Sequence, residues 1–359
     1  MDIIKTLQGR LQEESLDALL LYNFESSNRS GIAYVTGFSG SFAVAIVSNK
    51  GNFLITDSRY YTQAAQQSVF QLVKLESGRK AEDLAAEIFS RHGLKKIGFE
   101  SDKITHARFL SFTEAARDID FVESNSLVTD LRAVKSAEEI GRIKEAVRIA
   151  EESLNETLNV IKTGNSEVQV AATLEYEIRK RGGTAAFDTI VVSGERSALV
   201  HGTPSHRKIN EGDFVLIDFG AKYFEYCSDI TRTFCVGSPD SKMAEVYEVV
   251  YAAQKNARDS ARAGVIGKDL HLVAQSVIEE AGYGEYFGHG LGHGLGMDVH
   301  EAPGASPNND KALKQGNVIT IEPGIYIPGE FGVRIEDDVV IQENGIELLT
   351  SFERGLMVL

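Results

Sequence analysis

Apolar positions recur along the chain with two periods, and the change from one to the other divides it. Ile3, Ile4, Leu7 and Leu11 fall on one side of a helix over 3–14, because spacings of three and four return to the same face. Ala18–Tyr22 is a short continuous apolar run and predicts a buried strand. Tyr34–Phe38 leads through Gly40 into Phe42–Val47. After the turn at Asn49–Asn52, Phe53–Thr56 returns, which predicts a hairpin. Asp57 is placed to N-cap a helix over 58–68. Strand and helix then alternate at Val69–Leu75, Ala81–His92, Lys96–Phe99, Thr105–Arg117 and Phe121–Val122. This alternation predicts an α/β layered unit with a mixed sheet. The polar connector Asp130–Lys135 sets the expected boundary, with one domain over 1–132 and a second over 133–359.

The second part begins helical. Ile140, Ile143, Val147, Ile149 and Leu154 stripe a helix running from Ala137 to about Ile161, and a second helix covers Glu167–Arg181, stopped by Gly182-Gly183. Period-two patterning follows at Ile190–Ser193 and Phe214–Gly220. Lys222–Phe234 then reads as one long strand, with Asp229, Thr231 and Thr233 on one face and Ile230 and Arg232 on the other. Helices over Ser241–Ala263 and Asp269–Ala281 precede strands at Asn317–Glu322, Gly324–Ile327, Gly332–Gln342 and Ile346–Leu349. The order helix, helix, strands thus occurs twice and suggests an α+β domain with internal pseudo-symmetry.

Between the later helices and strands lies Phe287–Glu301, F-G-H-G-L-G-H-G-L-G-M-D-V-H-E. It holds His289, His293 and His300 among the eight histidines of the chain. Each glycine inside a helix costs about 1 kcal/mol, so this stretch predicts irregular, closely packed backbone. Such backbone on a rigid scaffold is where chemistry is usually placed, although a solvated glycine loop would read the same way.

The bulk numbers narrow the partners. Of 359 residues, 43% are hydrophobic and 25% charged, as in an ordinary globular protein. A formal net charge of −15 argues against nucleic acid or an anionic membrane as partner. No apolar run reaches the roughly 18 residues of a membrane span. Residues 1–21 carry scattered charges rather than a basic stretch followed by an apolar core, so no signal peptide is expected. Cys227 and Cys235 are the two cysteines, and on one extended strand they would stand too far apart for a disulfide. Two free thiols in a reducing cytoplasm are therefore expected. Two catalytic patterns are excluded by spacing. G-F-S-G-S at 37–41 is not a nucleophile elbow, and G-V-I-G-K at 264–268 is too short for a phosphate-binding loop.

Four carboxylates sit where burial would be costly. Asp218 closes the run Phe214–Ile217, Asp229 follows eleven residues later, Glu322 follows Val318–Ile321, and Glu336 follows Val333–Ile335. A buried carboxylate needs a cation, and Arg232 and Arg334 are the nearby basic residues. Each acid alone could end its strand in solvent or in a salt bridge. Together, beside a glycine-framed histidine, they form an oxygen-rich ligand set suited to two divalent cations such as Mn²⁺, Co²⁺ or Zn²⁺.

The motifs D-F-G (218–220), S-D-I-T-R-T (228–233), G-H-G-L-G-H-G-L-G (288–296) with V-H-E (299–301), I-E-P-G-I-Y (321–326) and V-R-I-E-D (333–337) resemble the prolidase and Xaa-Pro aminopeptidase family of metallopeptidases. That family belongs to the pita-bread superfamily, which also holds methionine aminopeptidases and creatinase. Y-V-T-G-F and D-S-R-Y in the first 130 residues are similar to its creatinase-like N-terminal domain. The resemblance implies a pita-bread catalytic domain with a pseudo-symmetric antiparallel sheet, and two divalent metals, with Mn²⁺ foremost. It implies hydrolysis of the bond before proline in proline-containing di- or oligopeptides, and a homodimer. By residue, it implies that Asp218 chelates one metal, that Asp229 and Glu336 bridge both, and that His293 and Glu322 hold the other, with Glu322 also the general base. His201, His289 and His300 would act around the scissile bond, Arg334 would orient Glu336 or bind substrate, and Tyr326 would line the pocket. A methionine aminopeptidase-like activity is the nearest alternative, and a non-catalytic peptide-binding protein of the same fold is another. Where many dipeptide-specific members carry Arg after His-Glu-x-Pro, this chain has Gly304.

Overall fold

The computed structural model describes residues 2–359 and divides into two compact units, Met1–Arg132 and Ala133–Leu359. In the first, the elements run α1 (Ile3–Glu13), β1 (Ala18–Phe24), α2 (Arg29–Thr36), β2 (Phe42–Ser48), β3 (Gly51–Asp57), α3 (Tyr61–Gln67), β4 (Gln71–Leu75), α4 (Ala81–His92), β5 (Lys96–Phe99), α5 (His106–Ala115), β6 (Asp120–Glu123) and α6 (Ser126–Ala133). One sheet of order β4-β3-β2-β1-β5-β6 carries them. It is mixed, since β1–β2 and β2–β3 are antiparallel while β3–β4, β1–β5 and β5–β6 are parallel. Helices cover both faces, so the central strands are buried on both sides and read as unbroken apolar runs. The core on one face joins Leu20, Val44 and Ile55 to Leu84, Ile88 and Phe89 of α4.

Two local readings differ in this unit. Tyr34–Thr36 closes helix α2, which Gly37 ends at φ 77°. Asp57 does not cap a helix. Its carboxylate takes the Arg59 guanidinium at 2.9 and 3.0 Å, and α3 starts later, at Tyr61.

The second unit continues with α7 (Ala137–Thr157), α8 (Glu167–Lys180), β7 (Thr184–Ala185), β8 (Ile190–Ser193), β9 (Phe214–Phe219), β10 (Ala221–Tyr223), β11 (Tyr226–Cys227), β12 (Ile230–Cys235), α9 (Ser241–Ser260) and α10 (Gly267–Glu280). After these come β13 (Gly292–Gly294), β14 (Glu301–Ala305), β15 (Val318–Ile321), β16 (Gly324–Ile327), β17 (Phe331–Arg334), β18 (Asp337–Gln342), β19 (Gly345–Leu348) and β20 (Met357–Val358). Helices α7 and α8 begin with capping boxes, Ser136 with Glu139 and Ser166 with Gln169, which satisfy otherwise orphaned backbone donors. They pack beside the sheet β20-β12-β9-β8 and the small β11-β10-β7 sheet. Helices α9 and α10 bury Val246, Val250, Leu270 and Ala274 with Ile319, Ile321 and Val339 of the sheet β14-β13-β15-β18-β19. The repeated helix-helix-strands order therefore corresponds to two sheets, each with its own helix pair. Among the described residues, no helix is long and apolar enough to cross a membrane. Cys227 and Cys235 are buried free thiols.

Two expected strands are broken, and both breaks matter. Lys222–Phe234 folds back at Phe224 and Glu225, whose φ values are 42° and 68°, so β10 pairs with β11 as a hairpin. Ser228 and Asp229 then leave the ladder before β12 begins. Gly332–Gln342 is interrupted at Ile335 and Glu336. Alternation of faces fixes only where a side chain points along a regular strand, so the breaks are invisible to it. They place Asp229 and Glu336 at strand ends beside each other, with Glu336 N–H donating to Thr231 O at 3.2 Å.

The first break requires glycine at 220, where a Cβ would lie 1.9 Å from the Ser228 carbonyl oxygen. Gly220→Ala is expected to lower unfolding stability by about 1–3 kcal/mol, the usual cost of overpacking against backbone that cannot move freely. Denaturant titration of both proteins, stripped of metal, measures it.

Candidate metal centre

The sheets β20-β12-β9-β8 and β14-β13-β15-β18-β19 of the second unit present carboxylates at their strand ends to one cavity of about 330 Å³. Asp218 reaches it from the end of β9 and Asp229 from the approach to β12. His293 reaches it from β13, Glu322 from just past β15, and Glu336 from the break before β18. The glycine-rich stretch is therefore not wholly irregular, since Gly292–Gly294 pairs with both β14 and β15. Gly292 is what permits this, for a Cβ there would meet Thr320 O at 2.0 Å.

Ligand atoms of Asp229, His293 and Glu336 all lie within 4.8 Å of one another. His293 Nε2 is 3.5 Å from Asp229 Oδ2 and 3.3 Å from Glu322 Oε1. Its Nδ1 lies 3.1 Å from Gly294 O, to which it donates, so the Nε2 lone pair faces the carboxylates. Burial, helped by neighbouring His300, lowers the His293 imidazole to about 4, so it is neutral and able to ligate. Burial likewise raises Asp229 and Glu336 well above ordinary carboxylates, and repulsion adds to it, from Glu336 and Asp218 at Asp229 and from Glu322 and Asp218 at Glu336. Glu322 is pushed up to about 7, again chiefly by burial.

Hydrogen bonds from unpredicted residues aim these ligands. Thr231 Oγ1 donates to Glu336 Oε2 at 2.6 Å and accepts from Arg334 Nε at 2.9 Å. Thr320 Oγ1 donates to Glu322 Oε1 at 3.2 Å and accepts the His293 N–H at 3.1 Å. Asp338 Oδ2 accepts the Asp229 N–H at 3.0 Å. Each threonine lies two positions from a ligand that sits just beyond the end of its strand, a spacing readable in the sequence once the ligands are suspected.

Arg334 and Tyr326 are placed differently from the expectation. The Arg334 guanidinium donates to Asp218 Oδ2 at 2.6 Å, Tyr326 Oη at 2.8 Å and Thr231, so it reaches Glu336 only through that threonine. Tyr326 is buried behind the cavity wall and does not line it. Its oxygen accepts from Arg334 and its proton points to His289 Nε2 at 3.2 Å, while His289 Nδ1 donates to Gly290 O. The Tyr326 hydroxyl is occupied within the protein, whereas Arg334 lines the cavity with Asp218 as its carboxylate partner. His289, His201 and His300 line the cavity, the last two at its exposed rim. Phe187, Ile190, Val200 and Val299 form an apolar wall.

The residues fit divalent metal. Asp218 Oδ1 and Asp229 Oδ1 are buried oxygens with no hydrogen-bond donor, and several carboxylates converge while Arg334 alone offers a permanent positive charge among the lining residues. Cations at these oxygens would supply the missing partners.

Comparison with known proteins agrees in both units. The model of metallopeptidase family M24 matches residues 141–343, and that of the creatinase/prolidase N-terminal domain matches residues 3–134. The chain is 38% identical to the Xaa-Pro dipeptidase of Pyrococcus horikoshii, over 99% of this chain and 98% of that one. The structure of X-Pro aminopeptidase from Thermotoga maritima superposes with a TM-score of 0.94 at 42% identity, covering 99% of each chain. The Xaa-Pro dipeptidase of Bacillus anthracis superposes with a TM-score of 0.94 at 40% identity, covering 100% of this chain and 99% of that one.

Because burial and repulsion hold Asp229, Glu322 and Glu336 above their ordinary values, the metal-free cluster retains protons that a cation must displace. Mn²⁺ binding is expected to release protons near pH 6 and fewer by pH 8.5, above the Glu322 value of about 7. Calorimetric titration in two buffers of different ionisation enthalpy counts them. Equal heats in both buffers at pH 6 would contradict this electrostatic account.

Proposed function

We propose that this chain, which belongs to metallopeptidase family M24, hydrolyses the peptide bond before proline in small peptides, using two divalent metals of which Mn²⁺ is the first candidate. The observation that carries the reading is the convergence of Asp218, Asp229, His293, Glu322 and Glu336 on one cavity just large enough for a short peptide. Bound divalent cations supply Lewis acidity toward water and toward the scissile carbonyl.

The chain's own residues do the rest. Asp218, Asp229, His293, Glu322 and Glu336 would hold the metals. Glu322 takes the proton from the attacking water and hands it on to the leaving group. His201 and His300, at the exposed rim, are the donors available to the substrate carbonyl. His289 is neutral, since burial lowers it to about 4, and its ring is held by Tyr326 and Gly290. Arg334 keeps Asp218 oriented. The apolar wall of Phe187, Ile190, Val200 and Val299 suits the pyrrolidine ring of proline. Proline's tertiary amide has no N–H to bind, so shape and apolar contact are the means left for choosing it.

Gly304, on β14 near His293, has no side chain to offer a terminal carboxylate. Peptides extended beyond proline are therefore accepted at least as well as dipeptides. A cytoplasmic homodimer completes the proposal, following the family resemblance. It is checked by sedimentation.

Metal-stripped protein is expected to be inactive and to regain turnover of Ala-Pro-Ala with Mn²⁺, with Met-Ala-Ser not cleaved. Turnover of Met-Ala-Ser in preference would favour the methionine aminopeptidase reading, and no turnover of any peptide at full metal loading would favour a binding protein. Replacing the base, Glu322→Gln, should lower kcat about 10²–10⁴-fold.

A further inference from the structure

Arg232 is 1% exposed and does not line the cavity, yet it stands directly behind the metal centre. A guanidinium carries five N–H donors in a fixed plane, and here the bonds match that number. Nη1 donates to Thr231 O at 2.9 Å and to Glu336 O at 2.5 Å. Nη2 donates to Asp337 Oδ1 at 2.9 Å and to Phe352 O at 2.8 Å, and Nε donates to Glu353 O at 2.9 Å. Asp337 in turn accepts from Gln254 Nε2, Thr350 Oγ1 and Arg354 Nε at 2.6, 2.7 and 2.6 Å. The segment 350–359 is itself fastened from outside. Glu151 of α7 accepts from the backbone of Ser351 and Phe352, and β20 pairs with β12.

Glu336 lies in the gap between β17 and β18, where no regular ladder fixes its backbone. The carboxylate's aim therefore depends on whatever holds its peptide group. We infer that Arg232 is a positioning residue for the metal centre, tying the Glu336 carbonyl to β12 and to the 350–359 strap so that the Glu336 carboxylate is preset for metal. The inference rests on the reading of Glu336 as a ligand. Lysine cannot replace the arginine, because a single ammonium with three donors does not span carbonyls lying on three separate segments.

The test is Mn²⁺ titration calorimetry on the metal-stripped full chain, with Glu336→Gln, Arg232→Lys and Glu151→Ala beside the unaltered protein. Thermal unfolding in EDTA shows that each is folded at the titration temperature. Arg232→Lys is expected to weaken Mn²⁺ binding at least about tenfold, the usual effect of removing a ligand's support. At saturating Mn²⁺, KM for Ala-Pro-Ala should stay near its original value, which a merely loosened fold would not preserve. Glu151→Ala, on the outer surface of the strap, should weaken binding about threefold and carries the test if Arg232→Lys does not fold. Unchanged binding by Glu336→Gln would remove the ligand reading itself. Weakened binding by Glu336→Gln, with binding by Arg232→Lys and Glu151→Ala unaltered, would overturn the positioning role alone.

Discussion

Mutual repulsion among buried carboxylates is the constraint around which the second unit is built. Asp229 and Glu336 are nearly sealed from solvent, and Asp218 and Glu322 face the same small cavity. Charges brought this close in a dry place are held only by a dense set of donors and by a cation between them. Arg334 offsets one charge, and the Thr231 and Thr320 hydroxyls each stabilise one oxygen. Asp218 Oδ1 and Asp229 Oδ1 are left without donors. Structure and chemistry thus share one cause: the groups that would destabilise the metal-free protein are those that would bind metal.

Support for these groups comes in layers that differ in charge. Apart from Arg334, the residues at the cavity are acidic or neutral. Behind them, Arg232, Arg354 and Arg258 surround Asp337, and Arg232, Arg354 and Thr350 hold it below the ordinary carboxylate value against the effect of burial. Adjacent positions in one short segment therefore behave oppositely. Glu336 is raised and awaits a cation, whereas Asp337 already has its cations and serves as structure. Alternation along the chain separates them, turning one toward the cavity and the other toward the strap at 350–359. An acid's role in this motif is set by the side of the strand it leaves, not by its type.

Much of this was legible in the chain. A polar connector at Asp130–Lys135 sets an expected boundary near 132, and the compact units are Met1–Arg132 and Ala133–Leu359. Helices α7 and α8 announced themselves by apolar stripes and by Ser at positions 136 and 166, each followed three residues later by Glu or Gln. The central strands β1, β2 and β9 were apolar runs because they are buried on both faces. The helix α2 and the hairpin at Phe224 were hidden, since neither glutamate nor phenylalanine announces a left-handed turn. The three-residue strand at His293 was masked by glycines, which are present there for close approach rather than for flexibility.

Sequence by itself determined which residues could do the chemistry: acids placed after apolar runs, and a histidine framed by glycine, are costly anywhere else. It did not determine how they are aimed. The breaks at Ser228 and Ile335 bring Asp229 and Glu336 together, and they arise from contacts between segments about a hundred residues apart in the chain. Tertiary structure likewise decided that Arg334 serves Asp218, that Tyr326 stands behind the wall, and that Arg232 braces the backbone of Glu336. The physical reason is common to all of these. A side chain's type sets which bonds it can make, but in a folded protein the partner is chosen by what lies within about 3 Å, and that is a property of packing.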